Sequence, residues 1–309
     1  MVQSASRLSL VALAGLLWVQ YGNARAGPSN AEGLPQDQVI YVVKPSDTDP
    51  EIRHFDEPNY VVIKRSGSAQ AQLAVFMPGT GGRPAKTMQL LTVVADQGYR
   101  VIGLEYNDFP AVVEVCPRNP SPDCSGNFRR KRIFGDATPS IVDTTRAESI
   151  VNRLAKLLEY LDRQHPEEGW RTYLSADGAP EWSRIVVSGL SQGAGMAAYI
   201  AKHLSVARVV LFSSPWDYSA SSHRLAPWLV EPSATPPDRW FAEYHRRERT
   251  AAWIAQAYSA LQIPADNIQV FDRDLSGAEG SRGDNPFHAS TIHVPAYAPQ
   301  WRVLFGASP

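Results

Sequence analysis

Apolar and polar positions along the chain fall into two alternating kinds of run. Short, nearly continuous apolar stretches bounded by turn residues read as buried strands: Gln38–Val43, Tyr60–Lys64, Leu73–Met77, Val101–Leu104, Arg184–Val187, Arg208–Phe212, Trp240–Tyr244 and Ile268–Phe271. Longer stretches between them repeat at helical spacing. The clearest runs from Thr144 to Gln164, where Ile150, Val151, Leu154, Leu157, Leu158 and Leu161 share a face and Asp143 is placed to cap the N-terminus. A second, Thr250 to Gln262, sets Trp253, Ile254, Ala257 and Leu261 on one side, and the small-residue run Ala194–Lys202 predicts a third helix. Strands alternating with helices predict an α/β fold: a mostly parallel central sheet of about eight strands, covered by helices on both faces. No internal repeat or long low-complexity linker interrupts the pattern. The Pro-rich stretch Arg224 to Asp238 reads as an irregular excursion near the sheet's C-terminal edge, so residues 27–309 are expected to form one domain.

The first 26 residues stand apart from this pattern. Arg7 gives a positive start, Leu8 to Val19 an apolar core, and Ala24-Arg25-Ala26 a small-residue cleavage site before Gly27, the layout of a secretory signal peptide. The apolar run is short for a membrane span, and no cysteine follows the site, so a secreted or periplasmic location without a lipid anchor is expected. Gly27 to Asp37 is mostly polar and reads as loose chain. The formal net charge of −1 gives no case for nucleic acid or for an anionic membrane as an obligate partner. Basic clusters at Arg129-Arg130-Lys131-Arg132 and Arg246-Arg247 read as solvated faces. The two cysteines, Cys116 and Cys124, share one Pro-rich loop, which in an exported chain reads as a disulfide. Two thiolates without a nearby histidine make a poor zinc site.

The candidate chemistry centres on Gly189-Leu190-Ser191-Gln192-Gly193, between the strand Arg184–Val187 and the helix Ala194–Lys202. A serine on a sharp strand-to-helix turn stands proud of the sheet, and flanking glycines avoid collision between strand and helix. A second Gly-rich stretch, Pro78-Gly79-Thr80-Gly81-Gly82, follows an early strand. It is not a phosphate loop, because Lys86 follows Ala85 and the glycine spacing differs from G-x-x-x-x-G-K-[ST]. With the elbow in mid-chain and a late histidine, the chain resembles the α/β-hydrolase superfamily over nearly all of its mature length. Within it, the P-G-T-G-G stretch, the cysteine pair and the G-x-S-Q-G elbow resemble a group of exported bacterial serine hydrolases of esterase or cutinase type. Leu190 stands where many such elbows carry His, and both fit.

The resemblance implies a chain order of nucleophile, acid and histidine, and the other residues are read against it. Ser191 is the nucleophile. Of the histidines, His288 and His293 follow the last strand; His288, after a Gly- and Asp-containing loop, is the expected base, while His293 leads into packed structure. The remaining histidines, His54, His165, His203, His223 and His245, read as structural. The acid is expected to be Glu248, at the turn after Trp240–Tyr244, with Asp217 in Ser213-Ser214-Pro215-Trp216-Asp217 as the alternative. Arg246, Arg247 and Arg249 surround Glu248, so an exposed, arginine-paired glutamate is the competing reading. The oxyanion needs two preorganised N–H donors: Gln192 for one, and Thr80 for the other, with Gly81 as alternative. Tyr106, Trp216 and Phe287 lie near strand ends, where they either contact substrate or pack in the core. The expected activity is carboxylic-ester hydrolysis on a small-molecule or polymeric ester by a monomer, with no metal or organic cofactor implied. A secreted serine peptidase of the same fold and a catalytically silent binding protein are the alternatives.

Overall fold

The computed structural model describes residues 37–66, 70–219, 222, 224–275 and 285–307. The signal-like segment, the loose stretch before Asp37, His223 and most of the loop ahead of His288 lie outside the described residues.

Eight strands form the main sheet: β1 (Gln38–Val43), β2 (Asn59–Lys64), β3 (Leu73–Met77), β4 (Arg100–Gly103), β5 (Ile185–Leu190), β6 (Arg208–Phe212), β7 (Trp240–His245) and β8 (Ile268–Phe271). Their order across the sheet is β1-β2-β4-β3-β5-β6-β7-β8. β2 pairs antiparallel with both β1 and β4, and every later pairing is parallel. Each expected strand is present, with small shifts of boundary. β2 starts one residue early because Asn59 pairs with Val43 and its side-chain Nδ2 donates to the Val43 carbonyl at 3.1 Å. β5 runs on to Leu190 because its register with β6 continues to the Leu190–Phe212 pair. The first half of the elbow motif is therefore strand.

Helices cover both faces: α1 (Met88–Asp96), α2 (Cys124–Phe134), α3 (Ile150–Gln164), α4 (Gln192–His203), α5 (Ala251–Ala260), α6 (Pro286–His293) and α7 (Ala298–Leu304). One core joins the sheet to Phe128 and Ile133 of α2, Leu154 and Leu158 of α3, Met196 and Ala197 of α4, and Ile254 and Ala257 of α5. The opposite core joins it to Leu91 and Val94 of α1, Ile292 of α6, and Trp301 and Leu304 of α7. Trp301 donates its indole N–H to the Thr291 carbonyl at 2.7 Å, tying α7 to α6.

Two details of the helices differ from the sequence reading. α3 begins at Ile150, and its cap is Ser149, whose hydroxyl accepts the Asn152 N–H. Asp143 caps nothing: its side chain is 92% exposed, and the chain between it and Ser149 is irregular. On α5, Ile254, Ala257 and Tyr258 face the core, whereas Trp253 is 41% exposed and lies against Tyr218. One residue off the stripe is a rotation of about 100°, enough to turn the indole outward. The stretch from Arg224 to Asp238 is the expected excursion, held to α4 by Lys202, whose ammonium donates to the Leu229 carbonyl at 3.1 Å.

Candidate active site

β5 hands over to α4 at Ser191, whose backbone sits at φ +54° and ψ −116°. A non-glycine residue in that region is strained, and the surrounding structure must hold it there. The holding contacts are the Ser191 N–H to the Phe212 carbonyl at 2.9 Å and the Gly195 N–H to the Ser191 carbonyl at 3.0 Å. The flanking glycines are compelled by close approach. A Cβ on Gly193 would lie 2.0 Å from the Met77 carbonyl oxygen, and one on Gly189 would lie 2.4 Å from the Gly193 carbonyl carbon.

The Gly-rich loop after β3 lies against this turn. Gly79 comes so near that an added Cβ would be 3.2 Å from the Ser191 Cβ. Gly82 N–H closes the loop on the Gly79 carbonyl, and the buried Tyr106 hydroxyl donates to the Pro78 carbonyl at 2.8 Å. Tyr106 thus supports the loop from within the core and is not a substrate contact. Gly81, at φ +68°, sends its N–H toward the Asp108 carboxylate. Thr80 lines the cleft beside Ser191 and Gln192. The Gln192 N–H belongs to the first turn of α4, where no helical carbonyl is available to take it.

Glu248 and His288 are brought together from different segments. The turn after β7 points Glu248 inward, and its side chain is fully buried. Its Oε1 accepts the Ser213 hydroxyl at 2.6 Å and the His245 N–H at 2.8 Å, and its Oε2 lies 2.7 Å from His288 Nδ1. The neighbouring arginines turn elsewhere: Arg246 pairs with Asp272 and Arg247 with Asp274. His288 sits in the first turn of α6, just after the loop, with Trp216 edge-on at 5.4 Å. A carboxylate at Nδ1 fixes the ring as the tautomer that donates from Nδ1 and leaves the Nε2 lone pair free.

The other candidates have structural partners. Asp217 is buried in a bidentate pair with Arg129, whose Nε lies 2.7 Å from Oδ2, and it also accepts the Trp228 indole N–H at 2.9 Å. Arg129 is therefore no solvated basic residue, and Gly195 is glycine because a Cβ there would meet the guanidinium at 2.2 Å. His245 donates from Nε2 to the Arg273 carbonyl and accepts the Arg247 N–H at Nδ1; burial pushes its pKa down, so it is a neutral pin of the turn. His293 ends α6, exposed. Phe287 lies on the His245 ring at 4.4 Å, outside the cleft, whereas Trp216 lines it.

Ser191, Thr80, Gln192 and His288 share one cleft of about 270 Å³, with Ala111, Val112, Val113, Trp216 and Asn285 among its walls. A larger hollow of about 430 Å³ lies at the opposite, N-terminal ends of the strands, beside Gly98, Tyr99 and Arg100, and contains no nucleophile. Its rim includes Glu167 and Glu168, which with His165 form the single cluster of metal-ligand spacing among the described residues. Glu168 already accepts Tyr41 and Trp170 there, and His165 is stacked on Tyr41. Cys116 and Cys124 are disulfide-bonded, closing the loop between a short helical turn, Val112–Val115, and α2.

One antiparallel strand near the edge, five parallel steps and a serine elbow at the C-terminal end of a central strand decide the architecture. It is the α/β-hydrolase fold. Solved structures of this class align with the chain. Esterase B from Lactobacillus rhamnosis is 13% identical, covering 88% of this chain and 85% of its own, with a TM-score of 0.49. A bacterial heroin esterase is 13% identical over 89% and 86% at 0.46, and an S-formylglutathione hydrolase from Agrobacterium tumefaciens is 10% identical over 87% and 95% at 0.46. Likeness at this level lends the chain no activity or substrate. No protein-family model matches the chain, and no curated protein matches it by sequence.

Proposed function

We propose that the protein is a serine hydrolase of carboxylic esters, exported by its N-terminal segment, with Ser191 as nucleophile, His288 as base and Glu248 as orienting acid. The observation that carries this reading is the 2.7 Å contact between Glu248 and His288 Nδ1, in the cleft that Ser191 also lines. A serine hydroxyl is a weak nucleophile at neutral pH and needs a base of fixed tautomer. His288 Nε2 takes the Ser191 proton as the oxygen attacks the ester carbonyl carbon. The carbonyl oxygen becomes an oxyanion between the N–H groups of Thr80 and Gln192; Thr80 is preferred to Gly81, whose N–H is turned to Asp108. The ester C–O bond then breaks, the alcohol leaving with the proton from His288 and the acyl group remaining on Ser191. Water, giving its proton to His288, releases the acid and restores the serine. The imidazolium formed twice in this cycle is stabilised by the Glu248 carboxylate.

The test is Ser191→Ala, assayed on p-nitrophenyl esters and with a fluorophosphonate probe. Hydrolysis is expected to fall more than about 10⁴-fold with labelling abolished, since a nucleophile contributes several orders of magnitude. Activity within about tenfold of wild type would remove the assignment.

A further inference from the structure

Gln192 does two things at once, and only its backbone N–H is used in the reaction above. Its side chain is buried and makes three hydrogen bonds to a single loop. Oε1 accepts the Val112 N–H at 3.0 Å, and Nε2 donates to the carbonyls of Asp108 at 3.1 Å and Pro110 at 3.0 Å. Those bonds hold the near side and the middle of the segment whose residues Ala111, Val112 and Val113 form one wall of the cleft. The far end of the same segment is fixed by the Cys116–Cys124 disulfide, and the Ala111 N–H is taken by Glu114 Oε2 at 2.7 Å. The wall is thus tied at Pro110 and Val112 to the residue next to the nucleophile.

The chemistry says which half of an ester faces that wall. The leaving oxygen must receive its proton from His288, so the alcohol lies on the side of His288 and Trp216. The acyl group is left to the Gln192 side, against Ala111–Val113. The whole cleft is about 270 Å³, below the ~300–1,000 Å³ of pockets that enclose a drug-sized ligand.

We propose that the Gln192 side chain is a positioning residue that holds the Ala111–Val113 wall against the nucleophile, and that this wall restricts the enzyme to esters of short acyl groups. The proposal rests on the serine-hydrolase reading above, and its test separates the two. Wild type and Gln192→Met, which keeps the bulk and the backbone donor but none of the three side-chain bonds, are assayed on p-nitrophenyl acetate, butyrate, hexanoate and octanoate beside fluorophosphonate labelling. Wild type is expected to label and to favour acetate or butyrate over octanoate. In Gln192→Met, whatever the change in absolute rate, the octanoate-to-acetate ratio of kcat/KM is expected to rise about tenfold or more, the size of discrimination that a methylene-scale steric limit gives. A chain-length profile unchanged from wild type in a variant that labels overturns the role of Gln192. A wild type that takes octanoate as readily as acetate overturns the size limit. If Gln192→Met does not fold, Val112→Ala carries the test of the wall: the same widening supports it, and an unchanged profile overturns it. Failure of wild-type Ser191 to label would instead remove the underlying hydrolase reading.

Discussion

Two serines, Ser191 and Ser213, share a φ of +54° at the ends of adjacent parallel strands, one the proposed nucleophile and the other donating to the Glu248 carboxylate. The roles of the two acidic candidates separate at this scale. Glu248→Gln keeps the size of the side chain but removes the charge that faces His288, so kcat is expected to drop on the order of 10³–10⁴-fold, with little change in Tm. Asp217→Asn leaves Arg129 buried without its counter-charge, so the fold is expected to lose about 3–5 kcal/mol while the surviving folded enzyme keeps its kcat. Active-site titration and thermal melts on both variants check the pair. An inactive but stable Asp217→Asn would transfer the acid to the earlier strand. That Glu248 would meet His288, and that His288 would share a cleft with Ser191, could be anticipated from the sequence because their order and their positions after strands are local signals. Ser213, the Gln192 side-chain bonds and the Arg129–Asp217 pair could not. Each depends on partners from distant segments, 88 residues apart for Arg129 and Asp217, and nothing in the residues themselves announces the match.

Among the elements, strands were legible and helix starts were not. The central strands are marked by buried apolar runs because a strand covered on both faces must be apolar throughout; the edge strand β8 is apolar but only partly buried, with Val270 exposed. The start of α3 was misplaced because Asp143 and Ser149 are both good capping residues, and only the path of the chain between them decides which one meets the first turn. The short turn Val112–Val115 was missed because one helical turn has no periodicity to detect. That turn and α2 are joined by the disulfide. Replacing Cys116 and Cys124 together by Ser is expected to cost roughly 2–3 kcal/mol by releasing a short closed loop in the unfolded chain, and to lower Tm by several degrees. Calorimetry of the double variant checks this, and an unchanged melt would mean that the loop is held by its other contacts alone.

At the scale of the whole molecule, acids that the fold keeps out of water contribute a pH dependence to stability. Glu105 is the clearest. Its Oε1 is buried without a hydrogen bond, with Arg83 3.6 Å away, and burial pushes its pKa from 4.5 up to about 8. A folded pKa above the unfolded one means the native state holds the proton more tightly. Stability from this group is therefore intact below about 4.5, falls as pH rises toward about 8, and is then level. Glu105→Gln should match wild type in Tm near pH 5 and exceed it at pH 9. Asp108 and Glu243, raised in the same direction by desolvation, are present in both chains. A Tm difference that does not widen between those pH values would show that Glu105 is already ionised in the fold.

The tie between Trp301 and Thr291 has a consequence in time. The elbow and its helix are complete once His203 has been made, but His288, the base of the proposed mechanism, rides on α6, which is held down by α7. A nascent chain therefore carries its serine long before anything can deprotonate it. On that mechanism chemical competence arrives with the final helices, after the sheet has formed, and partly made copies are expected to be inert toward esters.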